Sequence, residues 1–123
     1  MMVRRAISLV LLLNAVGCYN DRPRELVVVA RGLTLTLPSD ESKSNPRITL
    51  EAGERVRLTL RSEAYGLIHD FQIPEWSVKT EQVRGGESAS VLFVVPPKEG
   101  RVRYISSPHA ATVHGIIEVV AKE

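Results

Sequence analysis

Histidine and cysteine are the residue types in this chain with the most chemistry to offer, and the chain has few of either. The only cysteine is Cys18, so no thiol follows it, and the three histidines are His69, His109 and His114. Imidazole nitrogens suit Cu(II) and Zn(II), and Cu(II) binds most tightly among the divalent first-row ions. Metal chemistry in the body of the chain is therefore expected to depend on imidazole and not on thiolate.

Two serines precede His109 and raise the question of a nucleophilic site. No nucleophile-elbow motif surrounds Ser106 or Ser107, and no third group that would orient a base is identified. We therefore expect no enzymatic activity. Asp70 follows His69 directly, so on a strand the two side chains are expected on opposite faces, and Asp70 is not expected to share a metal with His69.

The N-terminal segment has the pattern of a bacterial export signal. A basic start, Met1 to Arg5, precedes an apolar run from Ala6 to Leu13 and the small residues Ala15-Val16-Gly17. The apolar run is too short to span a bilayer. With Cys18 next in the chain, the segment resembles a lipobox. This resemblance implies a signal peptide at 1–17, lipidation of Cys18 and a periplasmic, membrane-anchored protein; cleavage and simple secretion are the alternative.

Charge and composition argue against nucleic acid as a partner. The formal net charge is +2, and Arg4 and Arg5 account for it because the first 17 residues hold no acid. Beyond them, basic and acidic side chains alternate along the chain, whereas binding to phosphate backbones needs clustered positive charge. Aromatic residues make up 5% of the chain, which is few for stacking on bases.

The pattern of apolar residues predicts an all-β domain over residues 26–123, after a polar tether over residues 18–25. Apolar residues recur with period two or in short β-branched runs, and turn residues separate them. The predicted strands are Leu26–Ala30, Thr34–Leu37, Arg47–Leu50, Arg55–Arg61, Ile68–Ile73, Val78–Gln82, Ser88–Val94, Arg101–Ile105 and Gly115–Val120. Short strands at this spacing predict a Greek-key β-sandwich or barrel.

Two segments give residues 26–120 a resemblance to the cupredoxin family. The run from Gly66 to Lys79 resembles the strand that donates the first histidine ligand, and is similar to the copper domain of cytochrome c oxidase subunit II. The run Tyr104-Ile105-Ser106-Ser107-Pro108-His109 is similar to the family's Tyr-x-Cys-x-x-His. The resemblance implies that His69 and His109 are the two histidine ligands and that Ser106 stands in the position of the thiolate.

The resemblance leaves the axial ligand open. Counting back from Gly115 gives Val113, whereas counting forward from His109 gives His114, which would be a third ligand. A type 1 copper site needs a thiolate bond, and a serine hydroxyl stays protonated at neutral pH and is a poor ligand. Neither a type 1 centre nor a two-copper oxidase centre is therefore expected.

The sequence thus predicts a membrane-anchored, extracytoplasmic cupredoxin-like protein that binds or hands over copper through histidines. Its partners would be the membrane, through the lipid anchor, and a redox or copper-handling protein. The alternative is a metal-free accessory module that uses the same fold for protein contacts. Electron transfer ranks third.

Overall fold

The structure, a computed structural model, describes residues 22–123, and the predicted signal peptide and Cys18 lie outside them. No helix in the described part has the length and hydrophobicity needed to cross a membrane. Its strands are β1 (Arg24–Arg31), β2 (Thr34–Thr36), β3 (Ile48–Glu51), β4 (Arg55–Ser62), β5 (Gln72–Ile73), β6 (Val78–Lys79), β7 (Ser88–Val94), β8 (Gly100–Ile105) and β9 (His114–Val120). Short 3-10 turns cover Pro74–Trp76 and Ser107–His109.

The strands form two sheets, which confirms the predicted β-sandwich. One sheet has the order β2-β1-β4-β7 and the other has the order β3-β9-β8-β5-β6. β1 runs parallel to β4, with Leu26 opposite Leu58, and β3 runs parallel to β9. The remaining neighbours are antiparallel. Parallel neighbours that are distant in sequence require connections that cross between the sheets.

Alternation along the strands places the core between the sheets. In β4 the side chains of Val56, Leu58 and Leu60 are fully buried, whereas Arg55 and Arg57 are exposed. Because successive side chains of a strand point to opposite faces, this pattern gives one apolar and one solvated face. The buried residues that face β4 from the other sheet and its loops include Leu50, Phe71, Ile73, Tyr104, Ile117 and Val119.

The predicted strand Ile68–Ile73 is wrong over most of its length. Only Gln72 and Ile73 form a strand, and His69 makes an isolated bridge with Val83. The regular ladder breaks because the hydroxyl of Thr80 accepts the N–H of Phe71 at 3.0 Å, where a regular ladder has a backbone carbonyl. The segment that carries His69 is therefore an irregular loop.

The boundary between tether and domain also differs from the prediction. β1 begins at Arg24, so residues 24 and 25 lie in the sheet and not in a tether that ends at residue 25. Parallel pairing with β4 continues to Arg24, and Glu25 forms an ion pair of 3.1 Å with Arg57. The strand thus starts two residues earlier than the apolar pattern indicates.

Candidate metal centre

Two of the predicted histidines meet at one end of the sandwich. His69 lies in the loop that follows β4, and His109 ends the 3-10 turn that follows β8. Their ring centroids are 5.1 Å apart, with an interplanar angle of 53°. The two residues are 40 positions apart in the chain, so only the folded sandwich brings these rings together.

His69 is held through both ring nitrogens and is completely buried. Nε2 lies 2.7 Å from the carbonyl oxygen of Gly32, and Nδ1 lies 2.8 Å from the hydroxyl oxygen of Ser106. A carbonyl oxygen only accepts hydrogen bonds, so Nε2 carries the proton and donates it to Gly32. In the neutral ring, Nδ1 is left as the acceptor.

The charge state of His69 agrees with this assignment. Burial lowers the pKa of His69 below its usual value, and the neighbouring His109 lowers it further. The hydrogen bond to Gly32 and the charge of Asp70 oppose this shift but do not reverse it. The ring is therefore neutral at neutral pH, and its Nδ1 lone pair is available to a hydrogen-bond donor or to a metal ion.

Ser106, the residue at the predicted thiolate position, is the donor to that lone pair. It is fully buried, and its oxygen also accepts the backbone N–H of Asp70 at 3.3 Å. Its own backbone N–H donates to the carbonyl of Val113 at 3.0 Å. The hydroxyl is thus fixed between the loop of His69 and the loop of His109.

The ring of His109 has fewer hydrogen-bond partners than the ring of His69. Its Nε2 is buried and has no hydrogen-bond partner, the one such side-chain atom in the part of the chain that the structure describes. A buried polar atom without a partner costs about 1–3 kcal/mol, and such atoms are rare in native proteins. The unpaired nitrogen belongs to a ring whose centroid is 5.1 Å from that of His69, and an additional ligand to this nitrogen would be favourable.

Asp70 joins the two loops in a way that the sequence patterns did not indicate. Its buried carboxylate accepts the backbone N–H of Ser107 at 2.6 Å and the Ser107 hydroxyl at 2.5 Å. It also accepts the amide of Gln72 at 2.9 Å. Asp70 therefore binds Ser107 while its neighbour His69 binds Ser106, and it positions the loop without facing the histidine pair.

The carbonyl of Gly32 is a second feature that sequence analysis missed. The Arg31-Gly32-Leu33 turn between β1 and β2 is visible in the sequence, and Gly32 has a φ of 53° there. The alignment of β1 with β4 places this turn next to His69. No pattern in the local sequence predicts that alignment. A backbone acceptor also leaves no signature in the residue type.

The structure does not bring His114 to the other two histidines. His114 starts β9 with its side chain exposed, whereas Val113 and Gly115 on either side of it are buried. Val113, the other axial candidate, is fully buried, and its apolar side chain offers no ligand atom. Strand alternation therefore directs His114 away from the core side.

The side chains present do not fit a type 1 copper centre, because that centre requires a thiolate. In residues 22–123 no group of three or more His, Cys, Asp or Glu side chains is arranged to hold a metal ion. The histidine pair does fit a smaller imidazole site. His109 has an unpaired buried nitrogen, and His69 donates its other N–H to a backbone carbonyl, as metal-bound histidines usually do.

The two-sheet sandwich is that of a cupredoxin-like protein, and comparison with solved structures supports this fold. Auracyanin A, a "blue" copper protein from the green thermophilic photosynthetic bacterium Chloroflexus aurantiacus, matches with a TM-score of 0.64 and 16% identity, over 80% of this chain and 100% of that chain. The periplasmic domain of subunit II of cytochrome oxidase from Bradyrhizobium japonicum matches with a TM-score of 0.58 and 16% identity, over 83% and 88% of the two chains.

Reduced rusticyanin matches with a TM-score of 0.54 and 17% identity, over 80% of this chain and 81% of that chain. No protein-family model matches the chain, and no curated protein matches it either. The chain therefore has a cupredoxin-like fold, which it shares with the auracyanin, the rusticyanin and the oxidase subunit II domain.

Proposed function

We propose that this protein is a membrane-anchored, extracytoplasmic cupredoxin-like protein that binds copper through His69 and His109 and passes it to a partner protein. The observation that carries the proposal is the histidine pair, with ring centroids 5.1 Å apart and one unpaired buried nitrogen. Copper in the structural neighbours is a property of those proteins, and the histidine pair is the reason to extend it to this chain.

The donor set favours binding and release over fast electron transfer. Copper would supply a Lewis-acid centre that the two imidazoles would bind through nitrogen. Without a thiolate, the strong copper–sulfur bond of type 1 sites is missing, so an electron-transfer role has little support. Two nitrogen donors form an incomplete coordination shell, and an incomplete shell leaves room for ligands from a receiving protein.

Enzymatic activity has no support from the serines near the histidines. Ser106 is fully buried, so a substrate cannot reach its hydroxyl. The hydroxyl of Ser107 donates to the carboxylate of Asp70, and no histidine lies in hydrogen-bond contact with it. We therefore propose a binding protein and not an enzyme.

One observation favours a second candidate, a metal-free accessory module. Both ring nitrogens of His69 already have protein partners, Gly32 and Ser106. Because both nitrogens of His69 are hydrogen-bonded, the folded site does not need a metal ion for its stability. In that case the fold would serve contacts with another protein in the cell envelope.

Copper titration separates these two functions. The test uses the full chain with Cys18→Ser, which removes the only thiol, and titrates Cu(II) in competition with a chelator. We expect one Cu(II) per chain, and we expect His69→Ala and His109→Ala each to weaken binding by more than about tenfold, because each removes one of the two nitrogen ligands.

His114→Ala is the matched control, since His114 is an exposed histidine at the start of β9. It is expected to bind Cu(II) as the parent chain does. If the parent chain binds no Cu(II), or if His114→Ala loses as much affinity as the other two variants, the copper proposal fails and the accessory module remains.

A further inference from the structure

The hydroxyl of Ser106 has a single proton, and the surrounding groups determine where it points. Nε2 of His69 donates to Gly32 at 2.7 Å, which leaves Nδ1 without a proton in the neutral ring. The Ser106 oxygen lies 2.8 Å from Nδ1 and 3.3 Å from the N–H of Asp70. The oxygen therefore accepts from Asp70 and donates to His69.

This hydrogen bond uses the lone pair that a metal ion would need. A nitrogen lone pair of imidazole binds either a hydroxyl proton or a metal ion, but not both. Ser106 and His69 are both fully buried, so water cannot replace the hydrogen bond when it breaks. Binding of a metal at Nδ1 thus requires the hydroxyl to turn away and lose its partner.

We propose that Ser106 sets the copper affinity of this site by competing with the metal for Nδ1 of His69. The inference rests on the proposed function, because it concerns the same pair of histidines. It differs from a lost ligand, which would only make the site weaker. Here the serine closes the site when copper is absent and lowers the affinity when copper is present, so that copper is more easily released to a partner.

Ser106→Ala tests this competition. The variant removes the hydroxyl and frees Nδ1, so we expect its Cu(II) affinity to rise by roughly 2- to 12-fold, the range that the net free energy of one hydrogen bond corresponds to. The measurement is the chelator competition with Cu(II), on the full chain with Cys18→Ser. A substitution that only damaged the structure would not increase affinity.

Ser107→Ala is the matched control, because its hydroxyl contacts Asp70 and not His69. It should not raise the affinity. If the parent chain binds Cu(II) and Ser106→Ala binds equally or more weakly, the competition is refuted while the two-histidine site stands. If neither binds Cu(II), both the competition and the proposed function are refuted.

A measurement on the metal-free chain covers the case in which Ser106→Ala does not fold. Nitrogen NMR of the histidine rings reports which nitrogen of each ring carries the proton. We expect His69 to be protonated at Nε2 and to accept a hydrogen bond at Nδ1. A proton on Nδ1 would overturn the inference, because Ser106 then could not donate to it.

Discussion

The stability of the site depends on a histidine that is neutral and buried. His69 has no exposed surface, and burial is the main reason why its pKa lies below the usual value. In the unfolded chain the ring returns to an ordinary pKa of about 6.5. The two states therefore bind different numbers of protons in mildly acidic solution.

This difference predicts a pH-dependent stability of the metal-free protein. As the pH falls below about 6.5, His69 becomes protonated in the unfolded state but stays neutral in the folded state. The free energy of unfolding therefore decreases by up to about 1.4 kcal/mol per pH unit. The decrease ends below the lowered pKa of the folded state. Urea unfolding between about pH 7.5 and pH 5 measures this slope.

His69→Gln should remove the contribution of this group to the slope. An equal slope in the His69→Gln variant and the parent chain would show that His69 does not remain neutral in the fold.

At the residue level, the sequence predicted which residues form the site but not the hydrogen bonds between them. The cupredoxin resemblance named His69, Ser106 and His109, and the structure places these residues together. The direction of the Ser106 hydroxyl was not predictable, because it depends on Gly32 and on the backbone of Asp70, which belong to other elements. His114 was offered as a ligand by counting along the loop, which ignores the alternation that begins with β9.

The β8–β9 hairpin carries Ser106 and His109, and an aromatic ring packed on a glycine holds its two strands together. Tyr104 in β8 lies opposite Gly115 in β9. The Tyr104 ring stacks on Phe71 at 5.1 Å, and its hydroxyl donates to the carbonyl of Pro46 at 2.6 Å. Burial also raises the pKa of Tyr104, so the hydroxyl remains a donor.

Gly115→Ala should therefore destabilise the domain. A Cβ at position 115 would lie 2.3 Å from the ring of Tyr104, and the ring cannot move without losing its contacts to Phe71 and Pro46. Overpacking of this kind costs about 1–3 kcal/mol. The measurement is the free energy of unfolding in urea, with Gly115→Ala also made in a Tyr104→Ala background.

In the Tyr104→Ala background, Gly115→Ala should lower the free energy of unfolding much less, because the ring that the new Cβ would contact is absent. Equal costs in the two backgrounds would mean that Gly115 is required for some reason other than the contact with Tyr104.

At the level of elements, regular strands were predictable and the site loop was not. β7 has the predicted bounds, Ser88–Val94, because its alternation is uninterrupted. The stretch from Ile68 to Phe71 is predicted as strand because it belongs to the run that resembles the cupredoxin strand of the first histidine ligand. Its ladder is interrupted by the Thr80 side chain, which comes from a segment about ten residues later in the chain.

On the scale of the whole molecule, the start of β1 and the histidine pair lie at opposite ends. β1 begins close to the tether and ends next to Gly32, which accepts the hydrogen bond of His69. Its 8 residues span about 25 Å at about 3.3 Å per residue. If Cys18 is lipidated, as we propose, the histidine pair faces away from the membrane and toward a partner in the aqueous space.

Energy transfer to lipids in vesicles tests this orientation. A donor dye on Lys98→Cys, in the exposed connection between β7 and β8, should transfer more energy to acceptor lipids than the same dye on Leu33→Cys, beside the site. The lipidated full chain is used, and Cys18→Ser should abolish association with the vesicles. Equal or greater transfer from position 33 would contradict the orientation.

The spacing of the strands and the resemblance predicted the sandwich and the end of it that carries His69 and His109. They did not predict that β1 pairs with β4. Parallel pairing of β1 and β4 depends on contacts between segments about thirty residues apart, such as Leu26 opposite Leu58.

We propose that Ser106 occupies the position that a thiolate would take beside His69 and His109. The most direct measurement is the visible absorption spectrum of the Cu(II)-loaded Ser106→Cys variant, in a full chain that also carries Cys18→Ser. We predict an intense band from a copper–thiolate bond, absent from the parent chain and from Ser107→Cys, whose side chain faces Asp70. A Ser106→Cys protein that binds Cu(II) without this band, or a Ser107→Cys protein that shows it equally, would contradict the account.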